Sequence, residues 1–386
     1  MKLLFFISSL SGGGAERVTV NLANHWASKG WRITIVTLAP VTDDCYALHP
    51  EIVRRSLSLI GSSRNIVDGL TRNLHRIRAL RQVLLATEPD VAVGMMSTAC
   101  VTLALAGWGL TKIEVIGSVH IHPPSVPTKA VWKWIESIAY GQLSAVVALT
   151  QTTATWLIAH TNSRQIRVIP NPVQWPLPVT GPYIEPDDLC RPGRKIILAV
   201  GRLVPQKGLD LLISAFATIA ERRQDWDLVM LGEGAERQRL QSQITARGMD
   251  SRALLPGWAG NLAAWYKRAG LFVMSSRFEG FPNTLVEAMA HGLPAVSFDC
   301  DTGPRDIIRN GEDGLLVPPQ DLPALTEAVD RLMGDADLRR RLGVKAKETR
   351  DRFSMESVAA MWEDLFRDIL ADRKRRTSDA WLPFVK

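Results

Sequence analysis

The amino-acid sequence predicts an α/β protein with two domains in tandem, each built on an open parallel β-sheet. The chain has 386 residues, more than one hydrophobic core usually organises. Short apolar runs rich in β-branched residues alternate with segments of helical periodicity, which is typical of βαβ units because parallel strands need crossover connections. The alternation is interrupted once, at residues 171–194, which contain six prolines. This interruption divides the chain into two α/β halves.

The first predicted domain comprises residues 1–170. After its opening strand, apolar residues from Ala15 to Trp26 recur at helical spacing and therefore share one face of a helix. The other elements follow from the same two patterns. They are predicted strands at Leu3–Ser8, Ile33–Leu38, Val91–Gly94, Ile113–Val119 and Ala145–Leu149, and predicted helices at about Asn65–Ala86 and Ser97–Leu110.

The second predicted domain, residues 195–354, follows the Pro-rich linker at 171–194. Strands are predicted at Ile196–Val200, Asp227–Leu231, Ala253–Leu255, Leu271–Met274 and Ala295–Phe298, and helices at Leu209–Ala220 and Asn283–His291. We expect the two sheets to face one another across an interdomain cleft, with the ligand at the carboxyl ends of the strands.

The last predicted segment, residues 355–386, consists of a helix at Met355–Ala371 and a basic tail. We expect this helix to cross back to the first domain, because it carries an apolar stripe that must be covered. The stripe consists of Val358, Met361, Trp362, Leu365 and Ile369.

Composition and charge exclude several classes of protein. Hydrophobic residues make up 46% and charged residues 22% of the chain, which is a globular composition rather than a disordered one. The four cysteines are far apart and form no metal-binding motif, which argues against a disulfide framework or a zinc site and predicts a cytoplasmic protein. The uncharged stretch Val91–Thr111 could span a bilayer by length, but its Gly, Ser, Thr and Cys favour a buried strand and helix. The net charge of +7 favours an anionic partner without identifying it.

A glycine-rich turn follows the first predicted strand. Residues Ser11–Arg17 read SGGGAER and lead directly into a helix, so backbone amides and the helix N-terminus point to one place, where an anion is favoured. A tight strand-to-helix turn alone would explain the same residues. The turn does not match the dinucleotide-binding fingerprint, because Arg17 stands where the third glycine should pack helix against sheet.

Two cations follow the first strand of the second domain. The segment Val200–Gly208 reads VGRLVPQKG and brings Arg202 and Lys207 to the carboxyl end of that strand. A guanidinium fork and an ammonium point charge suit the adjacent phosphoryl oxygens of a diphosphate. Two solvated loop cations are the alternative interpretation.

Two glutamates lie around the start of a later helix. Glu279 falls in the loop before the helix that begins at Asn283, and Glu287 falls one turn into it. Between them, Gly280 permits close approach of a ligand to the backbone, and the first amides of the helix lack internal partners. Because carboxylates accept hydrogen bonds from sugar hydroxyls, one glutamate would read a hexose and the other a ribose. A helix-dipole or surface role is the alternative for Glu287.

Taken together, these motifs resemble the retaining glycosyltransferases of family 4, which have the GT-B fold. The resemblance rests on GGGAER, GRLVPQKG, the two glutamates and the closing motif TGPRDII at Thr302–Ile308, and it covers nearly the whole chain. It implies transfer of a hexose or N-acetylhexosamine, with retention, from a nucleotide diphosphate sugar, with UDP as the favoured carrier. The implied acceptor is a glycan or a polyprenyl-linked glycan of cell-surface polysaccharide or glycolipid biosynthesis, and neither a metal nor a cofactor is expected.

The resemblance also implies roles for individual residues. Arg202 and Lys207 would hold the donor diphosphate and stabilise the charge of the leaving group, Glu279 would contact the hexose, and Glu287 would bind the ribose. The other donor-binding residues implied in this way are Gly13, Gly14, Gly201, Gly232, Gly257, Gly280, Phe281, Asn283, Thr284 and Leu285.

A histidine follows the predicted strand that ends at Val119. His120 matches the family's histidine that lies against the donor sugar, and it is the fourth residue to which the resemblance implies a catalytic role. His122, two residues further on, is the other candidate for this role. Either histidine could instead have no catalytic role and simply be a hydrogen-bonded polar residue at the end of a strand.

Basic and aromatic residues predict peripheral attachment to the inner face of the cytoplasmic membrane. The basic residues are Arg72, Arg76, Arg78 and Arg81 of one predicted helix and Arg373, Lys374, Arg375 and Arg376 of the tail. The aromatic residues are Trp381 and Phe384, which follow in the tail together with the apolar Leu382. Cations beside aromatic side chains suit an anionic bilayer surface. A solvated charged face and a frayed tail are the alternative.

Two other activities stay open at this point. A non-hydrolysing nucleotide-sugar epimerase shares the two-domain layout and would convert free donor without an acceptor. A non-catalytic nucleotide-sugar-binding protein would show no turnover, although the combination of Arg202, Lys207, Glu279 and Glu287 argues against it. Nucleic-acid binding is not predicted, because only the net charge favours it.

Overall fold

The structure is a computed structural model that describes residues 1–61 and 65–379. The chain divides into two compact units. The first unit contains residues 1–172 together with the C-terminal segment from Met355, and the second contains residues 173–354. Each unit is built on one parallel β-sheet with helices, so the predicted α/β fold class is confirmed.

Seven strands form the sheet of the first unit, namely β1 Lys2–Ile7, β2 Arg32–Thr37, β3 Val53–Ser56, β4 Val91–Met95, β5 Glu114–Val119, β6 Ala145–Ala148 and β7 Ile166–Val168. All neighbouring pairs are parallel, in the order β3-β2-β1-β4-β5-β6-β7. The crossover helices are α1 Gly14–Ser28, α2 Ile66–Thr87, α3 Ser97–Gly107, α4 Ala130–Gly141 and α5 Gln151–His160.

The strands of this sheet are covered on both faces, which is why they read as continuous apolar runs in the sequence. In β1, the side chains of Leu3, Phe5 and Ile7 join one hydrophobic cluster, whereas those of Leu4 and Phe6 join a second cluster. The division arises because successive side chains of a strand point to opposite faces. Helix α1 belongs to the first cluster and helices α2 to α5 belong to the second.

Six strands form the sheet of the second unit, namely β8 Lys195–Val200, β9 Trp226–Leu231, β10 Ala253–Gly257, β11 Leu271–Met274, β12 Ala295–Phe298 and β13 Gly314–Val317. They are parallel and lie in the order β10-β9-β8-β11-β12-β13. The helices of this unit are α6 Pro186–Leu189, α7 Leu209–Ile219, α8 Arg237–Ala246, α9 Leu262–Arg268, α10 Asn283–Ala290, α11 Pro304–Ile307, α12 Leu322–Gly334, α13 Ala336–Ala346 and α14 Thr349–Arg352.

Every predicted strand is present, with its ends shifted by at most two residues. Strands β3, β7 and β13 were not predicted, because each has only three or four residues and lies at an edge of its sheet. Strand β3 reads VRRS, a polar sequence that pairs along one side only. In the first unit, helices α4 and α5 were also not predicted from the sequence.

The segment predicted as a linker differs from the expectation. Residues 173–194 belong to the second unit, because backbone and side-chain hydrogen bonds attach them to α9 and the residues before it. The carbonyl of Ile184 accepts hydrogen bonds from the Asn261 side-chain amide at 3.0 Å and from the Trp265 indole at 2.8 Å. The guanidinium of Arg268 pairs with Asp187 at 2.9 Å. Five of the six prolines therefore lie in a segment packed on the second unit, and Pro172 ends the first part of the first unit.

The C-terminal helix, α15 Met355–Asp379, packs in the first unit. Its buried face includes Trp362 and Phe366. The Phe366 ring lies 5.5 Å from the ring of Trp26 in α1 and 5.7 Å from that of Trp362, and the Trp26 indole donates a hydrogen bond to Glu363 at 2.9 Å. Met361, predicted as part of the stripe, is instead 41% exposed. At about 100° per residue, Met361 falls at the margin of the buried face and Phe366 falls within it.

Within the part of the chain that the structure describes, no helix combines the length and the apolar character needed to span a bilayer. The uncharged stretch around Val91–Thr111 forms the buried strand β4 and helix α3, as the sequence predicted.

Replacing Trp362 by alanine should destabilise the first unit by about 3–5 kcal/mol, because the side chain is 3% exposed and its removal leaves a cavity. The neighbouring substitution Met361→Ala removes a side chain that is 41% exposed and should cost less than about 1 kcal/mol. Urea unfolding of both variants, followed by far-ultraviolet circular dichroism, measures the difference. Equal midpoints for the two variants would contradict the observed packing of α15.

Candidate active site

The candidate site lies at the carboxyl end of the sheet in the second unit. Strands β8 and β11 are neighbours there, although two further strands separate them in sequence, so the connections on either side run in opposite directions along the sheet. Doubly wound sheets bind ligands at such a switch point. The loop after β8 carries Gly201, Arg202 and Lys207, and the loop after β11 carries Glu279.

Lys207 and Glu279 form an ion pair at this switch point. The Lys207 ammonium lies 2.6 Å from Glu279 Oε1, and the two side chains are only 19% and 7% exposed. The Ser276 hydroxyl donates to the same Oε1 at 2.6 Å, and the Thr302 hydroxyl donates to the carbonyl of Glu279. From the residues that the structure describes, Glu279 Oε2 receives no hydrogen bond. One carboxylate oxygen is therefore held by two protein donors, and the other is not.

The two loops are joined by hydrogen bonds between their backbones and side chains. The amide of Arg277 donates to the carbonyl of Gln206 at 2.8 Å, and the Gln206 side chain donates to the carbonyl of Phe278 at 2.9 Å. Gly208 has φ 58°, and a Cβ atom there would lie 2.0 Å from the carbonyl oxygen of Ser275, so only glycine fits. The loops after β8 and β11 thus form one rigid support for the ion pair.

A second ion pair strengthens this support. The Arg277 guanidinium contacts both carboxylate oxygens of Asp210 at 3.0 and 2.9 Å and donates to the carbonyl of Pro205 at 2.6 Å. Burial acts to raise the pKa of Asp210, but the hydrogen bonds and charge of Arg277 outweigh it and hold that pKa below its usual value. Sequence reasoning did not identify this pair, because the two residues are 67 positions apart.

Arg202 is exposed, and its guanidinium has no hydrogen-bonding partner among the described residues. The neighbouring glycines pack against one another at the ends of β8, β9 and β10. The amide of Gly232 donates to the carbonyl of Gly257 at 2.8 Å, and a Cβ atom on Gly232 would lie 1.9 Å from the carbonyl oxygen of Gly201. The structure therefore brings Gly201, Gly232 and Gly257 close together at the strand ends, with Gly232 and Gly257 buried and Gly201 partly exposed, and their predicted contact with a donor stays a prediction.

Helix α10 begins beside Glu279. Its first residues, Asn283 and Thr284, are partly exposed, and no side-chain cap closes its N-terminus. Phe281 and Leu285 are 7% and 0% exposed, so their side chains are not available to a ligand, and the Leu285 amide already donates to the carbonyl of Pro282 at 3.1 Å. Gly280 lies against Gly303 of the closing motif, where a Cβ atom would be 2.8 Å from the carbonyl oxygen of Gly280.

Glu287 is 3% exposed and lies in the second turn of α10. The hydroxyl of Tyr266 donates to Glu287 Oε2 at 3.2 Å and lies 3.4 Å from the carbonyl of Thr284. A buried carboxylate with a phenol donor is not the surface partner that the alternative interpretation required. Tyr266 was missed, because it belongs to α9 and no sequence pattern connects it with α10.

The glycine-rich turn of the first unit lies between β1 and α1. Gly13 is exposed and immediately precedes Gly14, the first residue of the helix. The Tyr46 hydroxyl donates to the carbonyl of Gly13 and accepts from its amide, both at 3.0 Å. The turn is therefore held in place by a tyrosine 33 residues away, which the sequence did not suggest.

His120 follows β5 in the first unit and is 9% exposed. Its Nε2 lies 3.2 Å from the Ser118 hydroxyl, and burial lowers the pKa of the imidazole to about 4. The imidazole is therefore neutral near pH 7. His122 is also buried, with Nδ1 at 3.2 Å from the Thr153 hydroxyl. The choice of His120 over His122 stays a prediction.

Several arginines that predicted membrane attachment make contacts within the first unit. The Arg76 guanidinium donates to the carbonyls of Leu59 and Gly61 at 3.0 Å each, and that of Arg81 donates to the carbonyls of Ala106 and Trp108. The other residues of this prediction differ in their contacts and exposure. Arg72 pairs with Asp68, Arg78 is exposed, Arg373 and Arg376 contact the carbonyl of Lys112 and the carboxylate of Glu114, and Trp381, Leu382 and Phe384 lie outside the described residues.

Two family models match the chain. The model described as glycosyl transferases group 1 matches residues 185–349, and the model described as glycosyltransferase family 4 matches residues 12–174. The first range lies in the second unit, and the second range lies almost entirely in the first unit.

Similar proteins of known annotation span most of this chain. An amylovoran biosynthesis glycosyltransferase of Erwinia amylovora is 26% identical over 374 residues, covering 94% of this chain and 99% of that protein. An undecaprenol-linked glycan α-1,4-N-acetyl-D-galactosaminyltransferase of Campylobacter jejuni is 24% identical, covering 96% and 99%. An exopolysaccharide phosphotransferase of Streptomyces coelicolor is 37% identical over 238 residues, but these cover 60% of this chain and only 24% of that protein.

Solved structures share the fold. The sucrose-phosphate synthase of Thermosynechococcus elongatus superposes with a TM-score of 0.81 at 21% identity, covering 96% of this chain and 99% of that one. The Anabaena protein HepE, solved with UDP and glucose, gives a TM-score of 0.79 at 19% identity, covering 95% and 100%.

The buried imidazole of His120 should make the stability of the protein depend on pH. Its pKa is about 4 in the folded chain against an ordinary value of 6.5, so between these pH values the unfolded chain binds a proton that the folded chain does not. Stability should fall as the pH falls through this window, by about 3 kcal/mol in total for this group.

His120→Asn removes the titrating group, so its unfolding midpoint should depend less on pH between 6.5 and 4 than that of the wild type. The matched control is His75→Asn, which replaces an exposed histidine of α2. Urea unfolding at a series of pH values measures the slopes. Parallel profiles for His120→Asn and the wild type would show that His120 is not buried as a neutral group.

Proposed function

This chain belongs to the glycosyltransferases with the GT-B fold, and we propose that it transfers a hexose or N-acetylhexosamine from a nucleotide diphosphate sugar to a glycan or lipid-linked acceptor. The observation that carries the proposal is the contact between Lys207 and Glu279 at the switch point of the second sheet. A cation suited to phosphate and a carboxylate suited to sugar hydroxyls lie there side by side. UDP is the proposed nucleotide and retention the proposed stereochemical outcome.

The names of similar proteins support this donor and this class of acceptor. HepE was solved with UDP and glucose and also with UDP-glucose. The Campylobacter jejuni relative is named for an undecaprenol-linked glycan, and a relative from Salmonella typhimurium is a lipopolysaccharide 1,6-galactosyltransferase. These names favour a part for this chain in the biosynthesis of cell-surface glycans.

The donor diphosphate would bind where Lys207 and Arg202 lie. Glu279 neutralises Lys207 in the structure, so a bound diphosphate would share the ammonium with the carboxylate. The exposed Arg202, which lacks a side-chain partner among the described residues, would supply the second cation. Both charges favour departure of the nucleoside diphosphate, because negative charge develops on its terminal phosphate during transfer. The amides of Asn283 and Thr284, two partly exposed residues at the start of α10, would suit the same anion.

Two carboxylates would bind the sugar hydroxyls of the donor. Glu279 Oε1 is held by Lys207 and Ser276, which leaves Oε2 to accept a hydrogen bond from a hexose hydroxyl. Glu287, oriented by Tyr266, would accept from the ribose. In the first unit the neutral imidazole of His120 would form a hydrogen bond rather than supply a positive charge.

Retention would follow from front-face transfer, in which the departing phosphate oxygen helps to remove the proton of the acceptor hydroxyl. Metal independence is also proposed. Among residues 1–61 and 65–379, no group of three or more His, Cys, Asp or Glu side chains is arranged to hold a metal ion. Two cations at the diphosphate would supply the charge stabilisation that a bound metal gives in other transferases.

Arg202→Ala and Glu279→Gln should each lower kcat of glycosyl transfer on the order of 10²- to 10³-fold, because each removes a preorganised charge from the reacting groups. Arg202 is exposed, so its removal should keep the wild-type fold. Glu279→Gln leaves the largely buried Lys207 without its ion-pair partner, so far-ultraviolet circular dichroism must first show that this variant is folded. The measurement is a screen of UDP-sugars and acceptors by mass spectrometry, followed by kinetics with the active pair.

The matched control for these variants is Arg331→Ala, which removes an exposed arginine of α12 in the same unit and should leave kcat unchanged. Wild-type turnover in Arg202→Ala and Glu279→Gln would remove the assigned roles. Conversion of free UDP-sugar to its epimer without acceptor would identify the epimerase alternative. Tight binding of the nucleotide sugar without turnover would identify a non-catalytic binding protein.

Addition of EDTA should leave the transfer rate unchanged, because Lys207 and Arg202 and not a metal ion would neutralise the diphosphate. In the same assay, proton NMR of the product should show the anomeric configuration of the donor. An EDTA-sensitive rate restored by a divalent cation would refute metal independence, and a product of opposite configuration would refute retention.

A further inference from the structure

A cavity of about 360 Å³ lies in the first unit, outside the residues assigned so far. Helices α4 and α5 and the turn after β5 form its walls. Its lining residues are Pro124, Lys133, Glu136, Trp156, His160 and Thr161. The volume falls within the range of small-molecule sites in proteins.

Glu136 is the buried polar group of this cavity. It is 8% exposed, and its Oε1 accepts a hydrogen bond from the Tyr140 hydroxyl at 3.2 Å. Burial raises its pKa, although hydrogen bonds from Tyr140 and Ser97 and the charge of Lys133 act to lower it. A carboxylate retained at such a place is suited to accept hydrogen bonds from a bound ligand.

Lys133 stands one turn before Glu136 on α4 and lines the same cavity. Its side chain is exposed, and its ammonium has no ion-pair partner within the described part of the chain. The cavity therefore offers a strong donor beside a strong acceptor, two groups that do not neutralise one another by direct contact.

Two stacked rings form another wall. The rings of Trp156 and His160 are parallel within 7°, with centroids 4.5 Å apart. His160 Nδ1 lies 2.8 Å from the carbonyl oxygen of Trp156, which can only accept, so Nδ1 carries a hydrogen and Nε2 is the ring nitrogen left for another contact. The edge of the Trp156 ring system meets His122 at a centroid distance of 6.4 Å. His122 in turn lies two residues after His120, so the cavity adjoins the carboxyl edge of the first sheet.

These groups together select a ligand class. A hydroxyl-rich ring both donates and accepts hydrogen bonds, which matches Lys133, Glu136 and His160, and its C–H face packs on an indole. An anionic ligand would bring like charge to the buried carboxylate of Glu136. A purely apolar ligand would leave the polar atoms of Glu136 without water or a partner.

We propose that this cavity binds one sugar residue of the glycan acceptor. The inference rests on the proposed function, because it assigns the acceptor of that same transfer to the first unit. Trp156 and His160 would pack against the ring, while Glu136 and Lys133 would bind its hydroxyls.

The test uses the full chain and methyl glycosides as probes of the acceptor sugar. Methyl α-D-glucoside, methyl α-D-galactoside and the methyl glycosides of the two N-acetylhexosamines are titrated separately, and binding is followed by saturation-transfer NMR. At least one of them should bind the wild type. Its affinity should fall by about tenfold or more in Glu136→Gln, because a charge-assisted hydrogen bond is lost. It should also fall in Lys133→Ala, which changes only an exposed side chain and so keeps the fold.

The matched control is Trp134→Ala, which removes a tryptophan of the same helix that is 66% exposed and does not line the cavity. It should bind the glycoside as the wild type does. Binding by none of the four glycosides, or equal affinity in Glu136→Gln and the wild type, would overturn the inference.

Hydrolysis of UDP-sugar in the absence of acceptor, measured on the same samples, separates this inference from the proposed function. Hydrolysis by the wild type without glycoside binding would overturn the cavity assignment and leave the function in place. Glycoside binding that depends on Glu136, in a protein that neither binds nor turns over any nucleotide sugar, would instead overturn the proposed function.

Discussion

The contact between Lys207 and Glu279 is the interaction on which the rest of the candidate site depends. Both side chains are largely buried, so separating them would leave an uncompensated charge away from water. The loops that carry Lys207 and Glu279 must therefore keep the two side chains in contact. The hydrogen bonds among Gln206, Arg277 and Phe278 provide that support by joining the loops after two neighbouring strands. The site is thus set before any ligand arrives, which is the condition for efficient electrostatic stabilisation of a leaving group.

Backbone proximity imposes the second constraint. At the ends of β8 and β9, the carbonyl of Gly201 occupies the space that a side chain at position 232 would need. Gly208 meets the same limit against the carbonyl of Ser275. Glycine at these positions is therefore a packing requirement of the second unit, because a side chain at either position would displace the backbone of the neighbouring loop.

The first unit uses buried polar groups in a different way. His120 and Glu136 are both largely removed from water, and burial lowers the pKa of the imidazole and raises the pKa of the carboxyl group. Such groups can form directed hydrogen bonds, which suits the recognition of hydroxyls proposed for this unit. The second unit instead holds Lys207 and Arg202, whose charges suit the diphosphate binding proposed above.

The sequence by itself determined the two α/β halves, the principal strands and the residues of the switch point. These follow from local periodicity and from motifs in which the relevant residues are close in the chain, as in VGRLVPQKG. Strand ends within two residues of their predicted positions reflect the strong apolar signal of strands buried on both faces. Periodicity did not predict that residues 173–194 belong to the second unit or that Met361 is exposed. A periodic pattern marks an apolar face but does not say which element packs against that face.

Only the tertiary structure decided which side chains complete the sites. The pairing of Asp210 with Arg277, the hydrogen bond of Tyr266 to Glu287 and the contact of Tyr46 with Gly13 join residues that lie far apart in the chain. The cavity around Glu136 is of the same kind, since its walls come from two helices and a turn. Such contacts depend on how separate elements pack, and local sequence carries no signal of that packing.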